Sequence, residues 1–124
     1  MSLTEITRRI AAAEAAASRA AGSVKLIAVS KVQPLERVEA VLEAGHRLFG
    51  ENYVQEALDK IAALADLRSQ LQWHLIGPLQ SNKTRPVAEA FDWVHSVDRL
   101  KIAQRLSEQR PPDLPPLQVC LQIN

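Results

Sequence analysis

With a single cysteine, Cys120, the chain can form no internal disulfide, and the apolar strand pattern around that residue makes it a small buried hydrophobe. Charge of one sign is lacking too. Against 15 Lys and Arg stand 14 Asp and Glu, and the net charge of +1 gives no electrostatic case for nucleic acid or a membrane surface. No apolar run approaches the roughly 20 residues that span a bilayer. The first residues read as a polar-faced helix rather than a signal peptide, so the expected location is the cytoplasm. His46, His74 and His95 form no metal-ligand cluster. Nothing resembles a phosphate-cradling glycine loop or an acidic receiver pocket. What remains is the composition of a globular domain, 47% hydrophobic, with enough apolar material for one core.

Ser2 with Glu5 makes a capping box ahead of an alanine-rich helix that Gly22 is placed to end, with Ile6, Ile10 and Ala13 as a modest apolar stripe for docking on a larger body. Lys25 to Lys31 is an apolar, β-branched strand ending in lysine. Pro34 suits the first turn of a helix with Val38, Val41 and Leu42 inside and Gly45 at its end. Arg47 to Gly50 is a short strand, and Val54, Ala57, Leu58, Ile61 and Leu64 mark the next helix. A third strand runs from Gln72 to Ile76. Gly77-Pro78 turns the chain, and a helix opens near Ser81-Asn82 with Pro86 in its first turn. Trp93 to Val97 is a fourth strand, Asp98 caps a helix carrying Leu100, Ile102, Ala103 and Leu106, and a proline-rich loop leads to a fifth strand, Leu117 to Ile123.

This alternation is the pattern of a parallel sheet with helical crossovers. It suits either a five-stranded doubly wound domain or the first part of a (β/α)8 barrel. The last residues, Gln122-Ile123-Asn124, stand at the carboxyl end of an apolar strand with no covering helix, which favours the barrel. The expectation is thus an amino-terminal piece of a longer protein: an incomplete barrel domain over 1–124, with a leading helix over 1–22 and strands one to five over 24–124. Its open edges are expected to find a partner, in a second fragment or another copy, so that the piece self-associates.

Lys31 falls at the carboxyl end of a parallel strand, the face where such folds place their chemistry. Desolvation there would leave an amine able to attack an aldehyde and form a Schiff base; the alternative is a lysine that snorkels into water. Four stretches in order, KLIAVSK, AGHRLFGENYVQEALDKI, QWHLIGPLQSNK and DWVHSVDRLKIAQRL, resemble the pyridoxal 5'-phosphate homeostasis family, the YggS/PROSC group, from about Val24 to Asn124. The resemblance implies an alanine-racemase-like (β/α)8 TIM barrel that carries pyridoxal 5'-phosphate (PLP) on Lys31. It also places the phosphate loop and an arginine facing the pyridine nitrogen in the carboxyl-terminal half. Where the family often reads Val-Ser-Lys-Thr-Lys-Pro, this chain has Val32 and Gln33 before Pro34, losing a hydroxyl and a charge beside the lysine.

Asn52 stands at the end of the next strand, where its amide could hydrogen-bond the cofactor or cap the helix that follows; the family motif around Glu51-Asn52-Tyr53 supports the cofactor role. Tyr53 is an acid/base candidate or a packing residue. His74 could line the cofactor cavity or be a hydrogen-bonded core histidine, and His95 has the same two readings. Ser81-Asn82-Lys83 with Arg85 would make an anion site or a solvated helix start, the latter being favoured. The resulting assignment is cofactor binding by Lys31, Asn52 and His74, with no catalytic residue and no metal. The function expected is a non-catalytic PLP holder that controls free cofactor, with apo forms of PLP-dependent enzymes as possible partners. The alternatives are a PLP-dependent amino-acid racemase, with Tyr53, His74 or His95 as second base, and a cofactor-free doubly wound interaction module.

Overall fold

A computed structural model describes residues 2–124. The elements run α1 (Leu3–Ala16), β1 (Ala28–Val29), α2 (Leu35–Glu43), β2 (Leu48–Glu51), α3 (Val54–Ala63), β3 (Gln72–Leu75), α4 (Thr84–Ala90), β4 (Trp93–Val97), α5 (Leu100–Gln109) and β5 (Gln118–Leu121), with 3-10 turns at Ala65–Gln70 and Ser81–Lys83.

All neighbouring strands are parallel, and their order in space is their order in sequence, β1-β2-β3-β4-β5. That order separates the two architectures. A doubly wound sheet reverses direction at a switch point and carries helices on both faces, whereas a barrel adds each strand beside the last with its helices outside. Residues of α2 to α5 (Val38, Ile61, Val87 and Ile102) share one buried cluster with Phe49, Trp73, Leu75 and Val94 of the strands. Helices α2 to α5 therefore cover a single face of the sheet, and the fold is the amino-terminal part of a (β/α)8 barrel.

Strand alternation assigns the other face. Val29, Gly50, His74, Trp93 and Gln118 lie in one register line across the sheet, on the side that a closed barrel turns inward. Trp73, wholly buried on the helix side, packs its ring against Phe49 at 5.5 Å between centroids; truncating such a side chain costs about 3–5 kcal/mol.

Several local expectations are corrected. Helix α1 stops at Ala16 rather than Gly22, because the Glu14 carboxylate turns back to accept from the N–H groups of Gly22 (3.3 Å) and Val24 (2.8 Å). Those bonds, the Val24 one foremost, hold Glu14 below the usual carboxylate range. The β1 ladder spans only Ala28–Val29, extended by one bond from the Ser30 N–H to the Gly50 carbonyl. Asp98 does not cap α5; Arg99 is the N-cap residue, and the Asp98 carboxylate instead accepts from its Nε at 3.3 Å. Cys120 is half-buried and free rather than enclosed. Among the described residues, no helix is long and apolar enough to cross a membrane, and no three His, Cys, Asp or Glu converge on a metal position.

Candidate functional site

Parallel strands bring their carboxyl ends to one rim, so Lys31, Asn52 and Gly77 arrive there from three successive strands. Lys31 lies in the turn just beyond the last ladder residue of β1, where the Gln33 N–H donates to the Ser30 carbonyl at 3.1 Å. It is exposed, and its amine makes no hydrogen bond or ion pair among the described residues. The desolvated setting expected for it is not built by these strands alone.

Asn52 follows β2. Helix α3 has Tyr53 at its N-cap and receives no side-chain capping bond, so Asn52 is not occupied as a cap. Its Oδ1 is buried and has no hydrogen-bond partner among the described residues. Its backbone lies tight against Gly77, where a Cβ would stand 2.6 Å from the Asn52 carbonyl oxygen. Gly50, one step lower on the inner face, leaves room that a Cβ would contest with Ile27 (2.9 Å) and Ile76 (3.2 Å). Two glycines and an orphaned amide oxygen thus shape the rim beside Lys31.

His74 sits deeper, 4% exposed, stacked on Trp93 with the rings 11° from parallel. Its Nδ1 meets His95 Nε2 at 2.9 Å and its Nε2 meets Gln72 Oε1 at 2.8 Å. With the Gln72 oxygen as acceptor, His74 is neutral, donates from Nε2 and accepts the His95 proton on Nδ1. Burial, then the His95 charge, push the His74 pKa down to about 4, partly opposed by Asp92; burial also lowers His95. Both ring nitrogens of His74 are therefore used within the chain, leaving only its ring face and edge for a ligand. Tyr53 is 55% exposed, and Asn82, Lys83 and Arg85 face solvent at the start of the short α4.

The residues that sequence reading missed lie directly under Lys31. Glu51, the last residue of β2, is wholly buried on the helix side, and Lys60 of α3 meets its Oε2 at 3.0 Å. Ser30 Oγ donates to the same carboxylate, while the Lys60 ammonium also donates to the Ser30 carbonyl (2.6 Å) and Glu56 Oε1 (2.9 Å). Glu56 in turn accepts from the Val32 N–H at 2.6 Å. The Lys60 bond, more than that amide, holds the Glu56 carboxyl below its usual range. The signal was present: Lys60 falls on the buried stripe of Ala57, Ile61 and Leu64, and Glu51 alternates with Phe49.

A one-sided parallel sheet with a lysine on its carboxyl rim defines a class, the barrels that carry ligands at the strand ends. The family is specific: the model of the alanine racemase N-terminal domain matches residues 1–124, and the chain belongs to that family. Proteins named pyridoxal phosphate homeostasis protein match 98% of this chain, at 62% identity in Pseudomonas aeruginosa and 51% in Escherichia coli, so the resemblance read from the four motifs holds. This chain covers 52% and 53% of those proteins, and so spans about half the length of the curated relatives it matches. Among solved structures, PipY of Synechococcus elongatus with PLP bound is 49% identical, with a TM-score of 0.68 over 84% of this chain and 47% of that one. An unknown protein from Bifidobacterium adolescentis is 36% identical, with a TM-score of 0.77 over 86% of this chain and 47% of its own. The curated relatives are named for cofactor homeostasis rather than as enzymes.

Proposed function

We propose that this chain forms part of a barrel domain that binds PLP through Lys31, holding the cofactor and releasing it without turnover. The observation that carries the reading is the pairing, on one rim and among the described residues, of a Lys31 amine without a competing partner and the unpartnered Asn52 Oδ1. The residues fit the group: an amine for the aldehyde and an amide for a polar ring substituent. When bound, the cofactor supplies an aldehyde that joins an amine as a Schiff base with loss of one water.

The protein's own part is to present Lys31, to offer the Asn52 amide, and to set His74 and Trp93 below them on the inner face. No acid/base group opposes Lys31 among the described residues, since His74 and His95 bond each other and Tyr53 points away from burial. Such a site suits storage better than proton abstraction at an amino acid. The reading extends to a cytoplasmic holder with apo PLP-dependent enzymes as recipients. It also has the isolated 124 residues self-associating at the β5 edge, where Val119, Leu121 and Ile123 are exposed.

The test is to incubate the full chain with PLP, reduce with borohydride and map the modified lysine. Saturable labelling at Lys31, lost in Lys31→Ala, supports the reading; labelling scattered over Lys25, Lys83 and Lys101 overturns it. Exchange of solvent deuterium into the α-position of alanine or serine, above that of free PLP, would overturn the non-catalytic part.

A further inference from the structure

Val32 is a β-branched residue with φ of 60°, in the left-handed region that such side chains avoid. A conformation of this kind persists only where surrounding bonds fix it. Here the bonds lie on both sides of Lys31. The carbonyl before it, that of Ser30, accepts from Lys60 Nζ at 2.6 Å, and the N–H after it, that of Val32, donates to Glu56 Oε1 at 2.6 Å. Lys60 and Glu56 are one helical turn apart on α3 and paired at 2.9 Å, and Lys60 is anchored in turn on the buried Glu51.

The same geometry separates the two lysines. The Lys60 amine is engaged by three partners, donating to the Ser30 carbonyl, Glu51 and Glu56. The Lys31 amine has none among the described residues. Its backbone is clamped while its side chain is left free.

We propose that Glu56 and Lys60 are positioning residues, a clamp on the two peptide groups flanking Lys31 that presents its amine at the rim to an aldehyde ligand. The proposal rests on the reading of Lys31 as the cofactor lysine. Holding the backbone removes conformations in which the amine points elsewhere, so that the ordering cost is met on folding rather than on binding.

The experiment measures borohydride-trapped PLP labelling in the full chain, residue by residue, for the wild type, Glu56→Ala and Glu56→Gln. Glu56 is partly exposed, and Lys60 has its bonds to the buried Glu51 and to the Ser30 carbonyl besides the one to Glu56. In Glu56→Ala the labelling rate at Lys31 falls about tenfold, while Lys25, Lys83 and Lys101 in the same molecule label as before. Glu56→Gln, which keeps an oxygen for the Val32 N–H, recovers most of the loss. Wild-type labelling at Lys31 in Glu56→Ala overturns the clamp and leaves the Lys31 reading standing. A loss shared by all lysines, or shared fully by Glu56→Gln, overturns it as well. A wild-type chain that never labels at Lys31 overturns the cofactor reading itself, and the clamp with it.

Discussion

Replacing Gly77 by alanine tests the rim where its packing is tightest. The added Cβ would stand 2.6 Å from the Asn52 carbonyl oxygen, 2.9 Å from its Cα and 3.1 Å from its carbonyl carbon. All three are backbone atoms, so no rotamer change relieves the overlap. Ordinary contact begins at 3.4 Å, and the carbonyl would have to retreat by about 0.8 Å, the gap between 2.6 and 3.4 Å. The loops cannot part freely, because the Ile76 N–H donates to the Glu51 carbonyl at 2.9 Å just below. Overpacking of this kind costs about 1–3 kcal/mol. The displacement falls on Asn52, so PLP affinity is expected to drop about tenfold as well. The assay is urea unfolding of the full chain with and without PLP: the midpoint falls, the m value stays, and the cofactor-induced gain shrinks. Gly45→Ala is the comparison, since Gly45 has φ of +100° and nothing within 4 Å of its Cβ position. It should lose about 1 kcal/mol from backbone strain and keep wild-type affinity. Wild-type stability and affinity in Gly77→Ala would refute the packing argument.

Three further outcomes follow from the same geometry. Lys60→Met leaves Glu51 buried without a counter-charge and should cost about 3–5 kcal/mol in urea unfolding, with a large part recovered in the Lys60→Met, Glu51→Leu double variant; an additive double variant would contradict this. Because the folded pKa of His74, about 4, lies below the ordinary 6.5, the unfolded chain binds the extra proton between those values. Stability is therefore fully present above pH 6.5 and declines as pH falls towards 4, by up to about 3 kcal/mol, and His74→Gln should flatten that part of the pH–stability curve. Arg110 donates to the carbonyls of Ala88 (2.9 Å), Phe91 (2.6 Å) and Pro115 (2.9 Å), tying α4 to the proline loop. Arg110→Ala should cost about 1–3 kcal/mol by thermal or urea unfolding, and Arg110→Lys should recover little because an ammonium cannot span the three acceptors.

Much of the site was legible and some was not, for reasons visible in particular residues. Lys31 and Asn52 could be assigned to the rim because each ends a strand, and strand ends are written in local pattern. Lys60 could have been read as buried from its place on the Ala57–Ile61 stripe, but its partner Glu51 comes from β2 and the carbonyl it holds comes from the loop after β1. Asp98 had the residue type of a cap yet does not serve as one, because a cap depends on where the chain enters the helix. His74 and His95 each carried two open readings; their mutual hydrogen bond depends on the β3–β4 register, which no spacing within either strand contains.

The sequence by itself determined the alternation of five apolar strands with amphipathic helices and the placing of a lysine and an asparagine at strand ends. Residues close along the chain set these features, through period and turn chemistry. Only the tertiary structure decided that the strands lie in sequential order with helices α2 to α5 on one face, that Glu51 and Lys60 pair in the interior, and that Val32 is held in a left-handed conformation beside Lys31. Those outcomes depend on how separate segments meet, from nine residues apart for Glu51 and Lys60 to 30 for Ser30 and Lys60, where burial and hydrogen bonding between elements outweigh local preference.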